Sequence, residues 1–219
     1  MSGHELGLFV FRWAHVLFGI AWIGMLYYFN FVQGEYFKEA TADAKSDAVQ
    51  KLVPRALWYF RWGAMFTFVT GLVLLLGMVK TGTINDLTMT GAILGILMFL
   101  NVWLIIWPNQ QVIIGLKEGD KAAAGAKALL ASRTNVLFSA PMLFGMLSGH
   151  LSVSSYPDHL LRNAEGMHIS MSYAIVLVII AALEANALFG KVGPMASVKG
   201  VIHFSLALVA LLYGLLLAL

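Results

Sequence analysis

The chain has 219 residues, 60% hydrophobic and 11% charged, with 14 Lys and Arg against 11 Asp and Glu, and its mean hydropathy is +0.82. Soluble domains carry roughly 25% charged residues, so this composition excludes an ordinary soluble fold and reads as an integral membrane protein. The small basic excess is scattered through connections with no clustered basic face, which excludes nucleic acid as a partner, and the absence of Cys excludes disulfides, thiolate metal sites, iron–sulfur clusters and covalently attached haem within the chain.

Six apolar runs are long enough to cross roughly 30 Å of hydrocarbon. In chain order they are 7–33, 56–79, 86–107, 133–153, 166–189 and 198–219, joined by 34–55, 80–85, 108–132, 154–165 and 190–199. The first run is too long for a cleaved signal and lacks a small-residue cleavage pattern, so it is expected to stay as a span. Barrel strands would be about ten residues long and alternating, a pattern these runs do not show. The expected fold is therefore all-α: a polytopic integral membrane helical bundle of about six transmembrane helices, forming a single domain over 1–219. Segment 34–55 mixes Lys, Asp, Glu and Ala and reads either as a short amphipathic surface helix or as a solvated connector.

Orientation follows from the basic residues. Eleven, from Lys38 to Lys199, lie in the first, third and fifth connections and the adjoining helix ends, against three (Arg12, Lys80 and Arg162) on the other side. Positive charge stays inside, so both termini are expected to face out, in the inner (cytoplasmic) membrane.

Four of the six histidines, His15, His150, His168 and His203, lie inside or at the lip of apolar runs. An ionisable ring at that depth is costly and is usually kept for a job. His15 lies roughly 12 Å below the outer boundary at 1.5 Å per residue. His150 and His168 each stand nine residues from His159, in the middle of the outer connection, so antiparallel helices would bring them level. Glu184 and His203 are equidistant from the middle of the last inner connection. The outer half thus holds three candidate ligands, and the inner half one His beside an acid. His4 and His159 read as terminal and loop residues.

Paired imidazoles across a helical bundle are a common way to hold haem iron. A porphyrin must approach backbone closely, and Gly19, Gly149 and Gly200 stand near three of these histidines. Arg12, three residues from His15, either balances a propionate or snorkels to headgroups. The bland reading stands beside this one, since a His in a membrane helix often only hydrogen-bonds its neighbour. His203 and Glu184 could equally form an ion pair or proton relay. Met89, Met142, Met146 and Met171 read as packing residues. The pair Gly91 and Gly95 could serve helix contacts within or between chains.

The segment Arg12-Trp13-Ala14-His15, then Ala21-Trp22-Ile23-Gly24 and Tyr28-Phe29-Asn30-Phe31, resembles the opening helix of the membrane-bound urate oxidase (urate hydroxylase) N-terminal domain family. The aromatic stretch 58–71, the Pro-Asn-Gln signature closing 101–110, and 132–150 ending in Ser-x-His follow in order. The resemblance extends over roughly residues 10–155 and implies a haem-associated redox membrane domain, fused in longer members to a C-terminal cytochrome c domain. His15 and His150 fall on family motif positions. Two departures matter: the chain holds no Cys, so a c-type haem would belong to a separate partner, and Thr88–Ala92 stands where urate-oxidising members are expected to carry a His.

Two functions follow as expectations. In the first, the chain is a b-type haem protein, with one or two haem b groups, passing electrons to cytochrome c or another respiratory-chain component. Quinone is a candidate donor and urate or purine oxidation a sub-case. Iron would be held by His15, His150 and His168, with His203 and Arg12 in the cofactor's surroundings. In the second, it is a cofactor-free anchoring subunit of a respiratory assembly.

Overall fold

A computed structural model describes residues 3–148 and 170–218. These residues are helical almost throughout, without strands, and five stretches are long and apolar enough to cross a membrane: Glu5–Glu39, Ala42–Thr81, Asp86–Ile113, Met171–Phe189 and Val198–Leu217.

The first three stretches are each interrupted by a widened π-helical turn. Helix α1 (Gly3–Tyr27) passes through π-helical Tyr28–Gln33 into α2 (Gly34–Glu39). After a bend at Ala40, Thr41 caps α3 (Ala42–Asp47), its side chain accepting from the Ala44 N–H; this leads through a second widened turn, Ala48–Leu52, into α4 (Val53–Thr81). Pro54 sits in the first turn of α4, where its missing N–H costs nothing. At the far end of α4, Gly82 takes φ 65°, a left-handed conformation that glycine adopts without strain. Asn85 caps α5 (Asp86–Leu100), which continues through π-helical Asn101–Ile106 into α6 (Trp107–Ile113). Beyond a short turn, α7 (Lys121–Ser148) begins, followed after the undescribed stretch by α8 (Met171–Phe189) and α9 (Val198–Ala218).

Segment 34–55 takes the helical one of its two expected forms, on both sides of one bend, because its Ala, Glu and Lys are good helix formers. One sequence expectation is corrected here. The connection expected over 108–132 shrinks to a turn, and α7 starts twelve residues before the expected span. The described part of α7 carries Ser132, Arg133, Thr134 and Asn135, and falls outside the five apolar stretches.

That polarity has a physical reason. Helix α7 is packed by α5, α6, α8 and α9 and the Asn101–Ile106 turn, so it faces protein rather than lipid on several sides. Its buried residues run from Ala124 to Ser148. Pro141 has no N–H to offer the carbonyl one turn back. Ser205 of α9 supplies a donor instead, bonding Leu137 O at 2.8 Å and Val136 O at 3.2 Å. Tyr213 adds a bond to Pro141 O at 2.7 Å. The α5–α7 contact is close because it is made by glycine. A Cβ on Gly91 would stand 2.9 Å from Met142 O and 3.0 Å from the Gly145 carbonyl carbon. Gly91 thus serves a contact inside the chain, which resolves the alternative left open by the sequence.

The seam between α1 and α4 is built the same way, with a Cβ on Gly63 meeting the Trp22 backbone at 3.1 Å. Phe68 and Phe99 stack at 4.0 Å between α4 and α5. The outer face of α1, including Phe9, Trp13 and Ile20, is exposed.

Gly91→Ala is expected to lose about 1–3 kcal/mol, since rigid backbone must move. Gly95→Ala, whose Cβ would meet only the flexible ends of Met142 and Met146, Sδ and Cε each at 3.5 Å, should stay within about 0.5 kcal/mol. Thermal unfolding of the detergent-solubilised protein measures both, and equal losses would contradict the packing described.

Candidate functional site

Two sites on the bundle hold polar side chains, at different heights along α1. The upper one is His15. It is half-buried on the face of α1 that meets α4, and a Cβ on Gly71 would stand 2.9 Å from its Cε1. Only glycine leaves room for the ring. Nδ1 lies 2.9 Å from Thr67 O and 3.2 Å from Thr70 Oγ1. A carbonyl can only accept, so Nδ1 carries the hydrogen. Thr70 spends its own hydrogen on Phe66 O at 2.7 Å, which leaves its oxygen free to accept from the same Nδ1–H. The neutral ring therefore keeps its lone pair on Nε2, the tautomer that a backbone carbonyl sets for a metal-binding histidine.

The other histidines are dispersed. His203 is exposed on α9, four residues from Lys199 and so far from the level of His15. It does not meet Glu184, which takes an amide hydrogen from Asn101 instead; the relay of these two residues read from sequence is not formed. Arg12 is exposed on α1. His150, His159 and His168 lie outside the described residues, and so does the His4 side chain. Among the described residues no three of His, Cys, Asp and Glu gather as a metal cluster. Met142 is buried and packs on Gly95, whereas Met171 is exposed.

The lower site is a polar layer around α7. Tyr27 donates to Ser139 Oγ at 2.8 Å, since Ser139 uses its own hydrogen on Val136 O. Asn30, 3% exposed, uses its amide on Leu26 O at 2.9 Å and on Ser132 Oγ at 2.7 Å. Asn135 Nδ2 donates to Met98 O at 2.9 Å. Asn101 Nδ2 donates to Asn135 Oδ1 at 3.0 Å and to Glu184 Oε2 at 3.1 Å. Asn30 and Asn101 both sit in widened turns. At each, a side-chain amide bonds a nearby backbone carbonyl, Leu26 O in one case and Met98 O in the other. Single π-turns of this kind are frequent at functional sites. Arg133, 4% exposed, has no hydrogen-bond partner for Nε and Nη1 among the described residues.

Reasoning from sequence centred on histidine and passed over this layer. Its signal was visible as amides inside apolar runs: Asn30, Asn101 and the stretch 132–135. The Pro-Asn-Gln signature lies on α6, where Asn109 folds back onto Ile105 O at 2.7 Å.

The architecture is thus an all-α bundle of membrane-spanning type, tied by a polar layer and a shallow histidine. Residues 83–182 match the family described as urate oxidase N-terminal, which bears out the resemblance read from the sequence. The matched stretch contains His150, His168 and the whole Asn101–Asn135 pair. It excludes His15, His203 and the opening-helix motif, and it reaches further toward the C-terminus than the motifs suggested. No curated protein and no solved structure matches the chain.

Asn135→Leu removes the side-chain donor from Met98 O, which keeps the Asn101 backbone N–H, and takes away the acceptor of the Asn101 amide, both without water to replace them. A loss of about 2 kcal/mol is expected from two buried bonds, read as a lower unfolding midpoint. An unchanged midpoint would show that the layer carries no stability.

Proposed function

We propose that the protein is an integral membrane redox protein that binds b-type haem and passes electrons to a separate partner, cytochrome c or another respiratory-chain component, in the cell's inner membrane with both termini outside. The observation that carries this reading is the His15 tautomer. A ring locked by a backbone carbonyl at Nδ1 would offer the Nε2 lone pair to iron. The residues fit the group at this one nitrogen. The α1–α4 seam itself is too close for a flat cofactor, so the iron would be met from the Nε2 side of the ring. The second axial nitrogen is assigned to His150 or His168, both within the stretch that matches the family. Arg12 would balance propionate charge, and His203, exposed at the other end of the bundle, would serve a second haem.

Bound haem supplies one-electron chemistry whose potential follows from ligand identity, burial and hydrogen bonding. The protein's own part is positional. Thr67 and Thr70 fix the ring plane, Gly71 admits it, and Gly63 holds α1 against α4. Oxidation of urate, which the family's description names, or of a related purine is the enzymatic form of this reading, with quinone as another candidate donor.

A second reading rests on the same bond. His15 joins α1 to α4, and a cofactor-free anchoring subunit of a respiratory assembly needs nothing more from it. Reduction by dithionite separates the two. The haem protein shows a Soret band that sharpens and shifts, and a colourless preparation supports the anchor.

His15→Ala is expected to remove most of that band, and His15→Asn, which keeps a donor to Thr67, should keep the fold and still lose the spectrum. A spectrum untouched in both variants removes His15 as a ligand. Urate-dependent reduction of added cytochrome c tests the enzymatic form independently.

A further inference from the structure

The Asn101 side chain is 1% exposed, and its Oδ1 has no hydrogen-bond partner among the described residues. An orphaned acceptor in the middle of a bundle calls for an explanation, and rotation of the amide does not provide one. Asn135 Nδ2 donates to Met98 O, a carbonyl that can only accept, so Asn135 must turn Oδ1 toward Asn101. Asn101 must then answer with Nδ2, and its two amide hydrogens go to Asn135 and Glu184. The orientation of both amides is fixed by one backbone carbonyl. Asn101 Oδ1 is consequently held on the same planar amide whose nitrogen already bonds Glu184 Oε2.

We propose that Glu184 is a proton-binding site: a neutral carboxylic acid that closes a ring with Asn101, accepting from Nδ2 through Oε2 and donating the O–H of its other oxygen to Oδ1. Primary amides and carboxylic acids are complementary in this way, each offering one donor and one acceptor. The proton accounts for the orphaned oxygen and removes a formal charge from an apolar stretch of α8, where an ionised carboxylate is costly. Among the described residues no cation bonds Glu184: neither Lys121, Lys127 and Arg133 on α7 nor Lys199 and His203 on α9 does so. Tyr173 on α8 and Tyr213 on α9 are the other titratable groups of these helices, and Asp86 stands at the opposite end of α5. Release of the proton breaks the O–H bond, leaves its electron pair on the carboxylate and hands the proton to a base or water that reaches the exposed edge of the half-buried Glu184 side chain. Two oxygens then face each other across the ring. Because Asn101 cannot turn, the released state is held apart from the neutral one by the amide chain, and Glu184 exchanges its proton as a single unit with Asn101 and Asn135.

The test is infrared difference spectroscopy on the full chain in lipid nanodiscs, wild type minus Glu184→Gln, in H2O and D2O. At neutral pH the carbonyl stretch of a protonated carboxylic acid should appear, shift on deuteration and be lost in the variant. Glu184→Gln should keep the wild-type unfolding midpoint, because its amide reproduces both bonds of the ring. Asn101→Leu should move the acid band to higher frequency as its hydrogen bond is lost. If Glu184→Gln fails to fold, Glu184→Asp serves in its place: the acid drawn back by one methylene should show a displaced band. A difference spectrum at neutral pH holding carboxylate bands alone overturns the proposal. So do carboxylate bands that respond to exchanging sodium for potassium, which would mark a cation between the two oxygens.

Discussion

Inside a membrane no water is available to complete a hydrogen bond, so every polar group brought into the bundle must find its partner within the chain. This constraint organises the molecule around α7. The helix carries a proline and a polar run at 132–135, features that would be expensive facing lipid. It is paid for by position: protein surrounds it on several sides, and several of its freed or buried polar groups meet a donor or acceptor from a different helix, although Arg133 Nε and Nη1 meet none among the described residues. Ser205 covers the carbonyls below Pro141, Tyr213 covers Pro141 itself, Asn30 meets Ser132 and Asn101 meets Asn135.

The widened turns belong to the same solution. A π-turn shifts the register of backbone bonding and leaves a carbonyl that regular helix would have used. In this chain an asparagine side chain bonds a carbonyl at two such turns. Amide and turn together set the depth at which α1 and α5 meet α7, while glycines at 63, 71 and 91 set how close the backbones come. His15 uses the same economy higher on α1, with one ring nitrogen spent on α4 and the other left available. Stability and candidate chemistry are therefore not separate regions; the bonds that fix the register also orient the groups that could bind iron or a proton.

The architecture was legible in the sequence because apolar length is a direct consequence of bilayer thickness. The expected spans at 7–33, 56–79, 86–107 and 198–219 each lie within or closely follow described helices. What failed was the treatment of polarity as a boundary. Segment 108–132 was read as a connection since it holds Lys, Gly and Asp, yet Lys121 begins α7 and the helix runs through Arg133 without a break. Hydropathy measures transfer into lipid and is blind to a helix whose surroundings are other helices. The site was legible in kind and not in membership. Histidine drew attention for its chemistry, whereas the residues joined most densely are asparagines, which hydropathy treats as mere interruptions. The pairing of His203 with Glu184 came from equal distance to a turn, and equal height says nothing about which way each helix faces. Asn101 took the place expected for His203 because the widened turn after α5 brings its amide to 3.1 Å from Glu184 on α8.

The central claim is that Asn101 and Asn135 act as one unit that fixes the register of the bundle. A double-mutant cycle with Asn101→Leu, Asn135→Leu and the pair, followed by unfolding in detergent, tests it most directly. Coupling of about 1 kcal/mol or more, with the double variant losing less than the sum of the singles, is the predicted result. Additive losses would mean that the two amides stand side by side without depending on each other, and the account of the polar layer would fail.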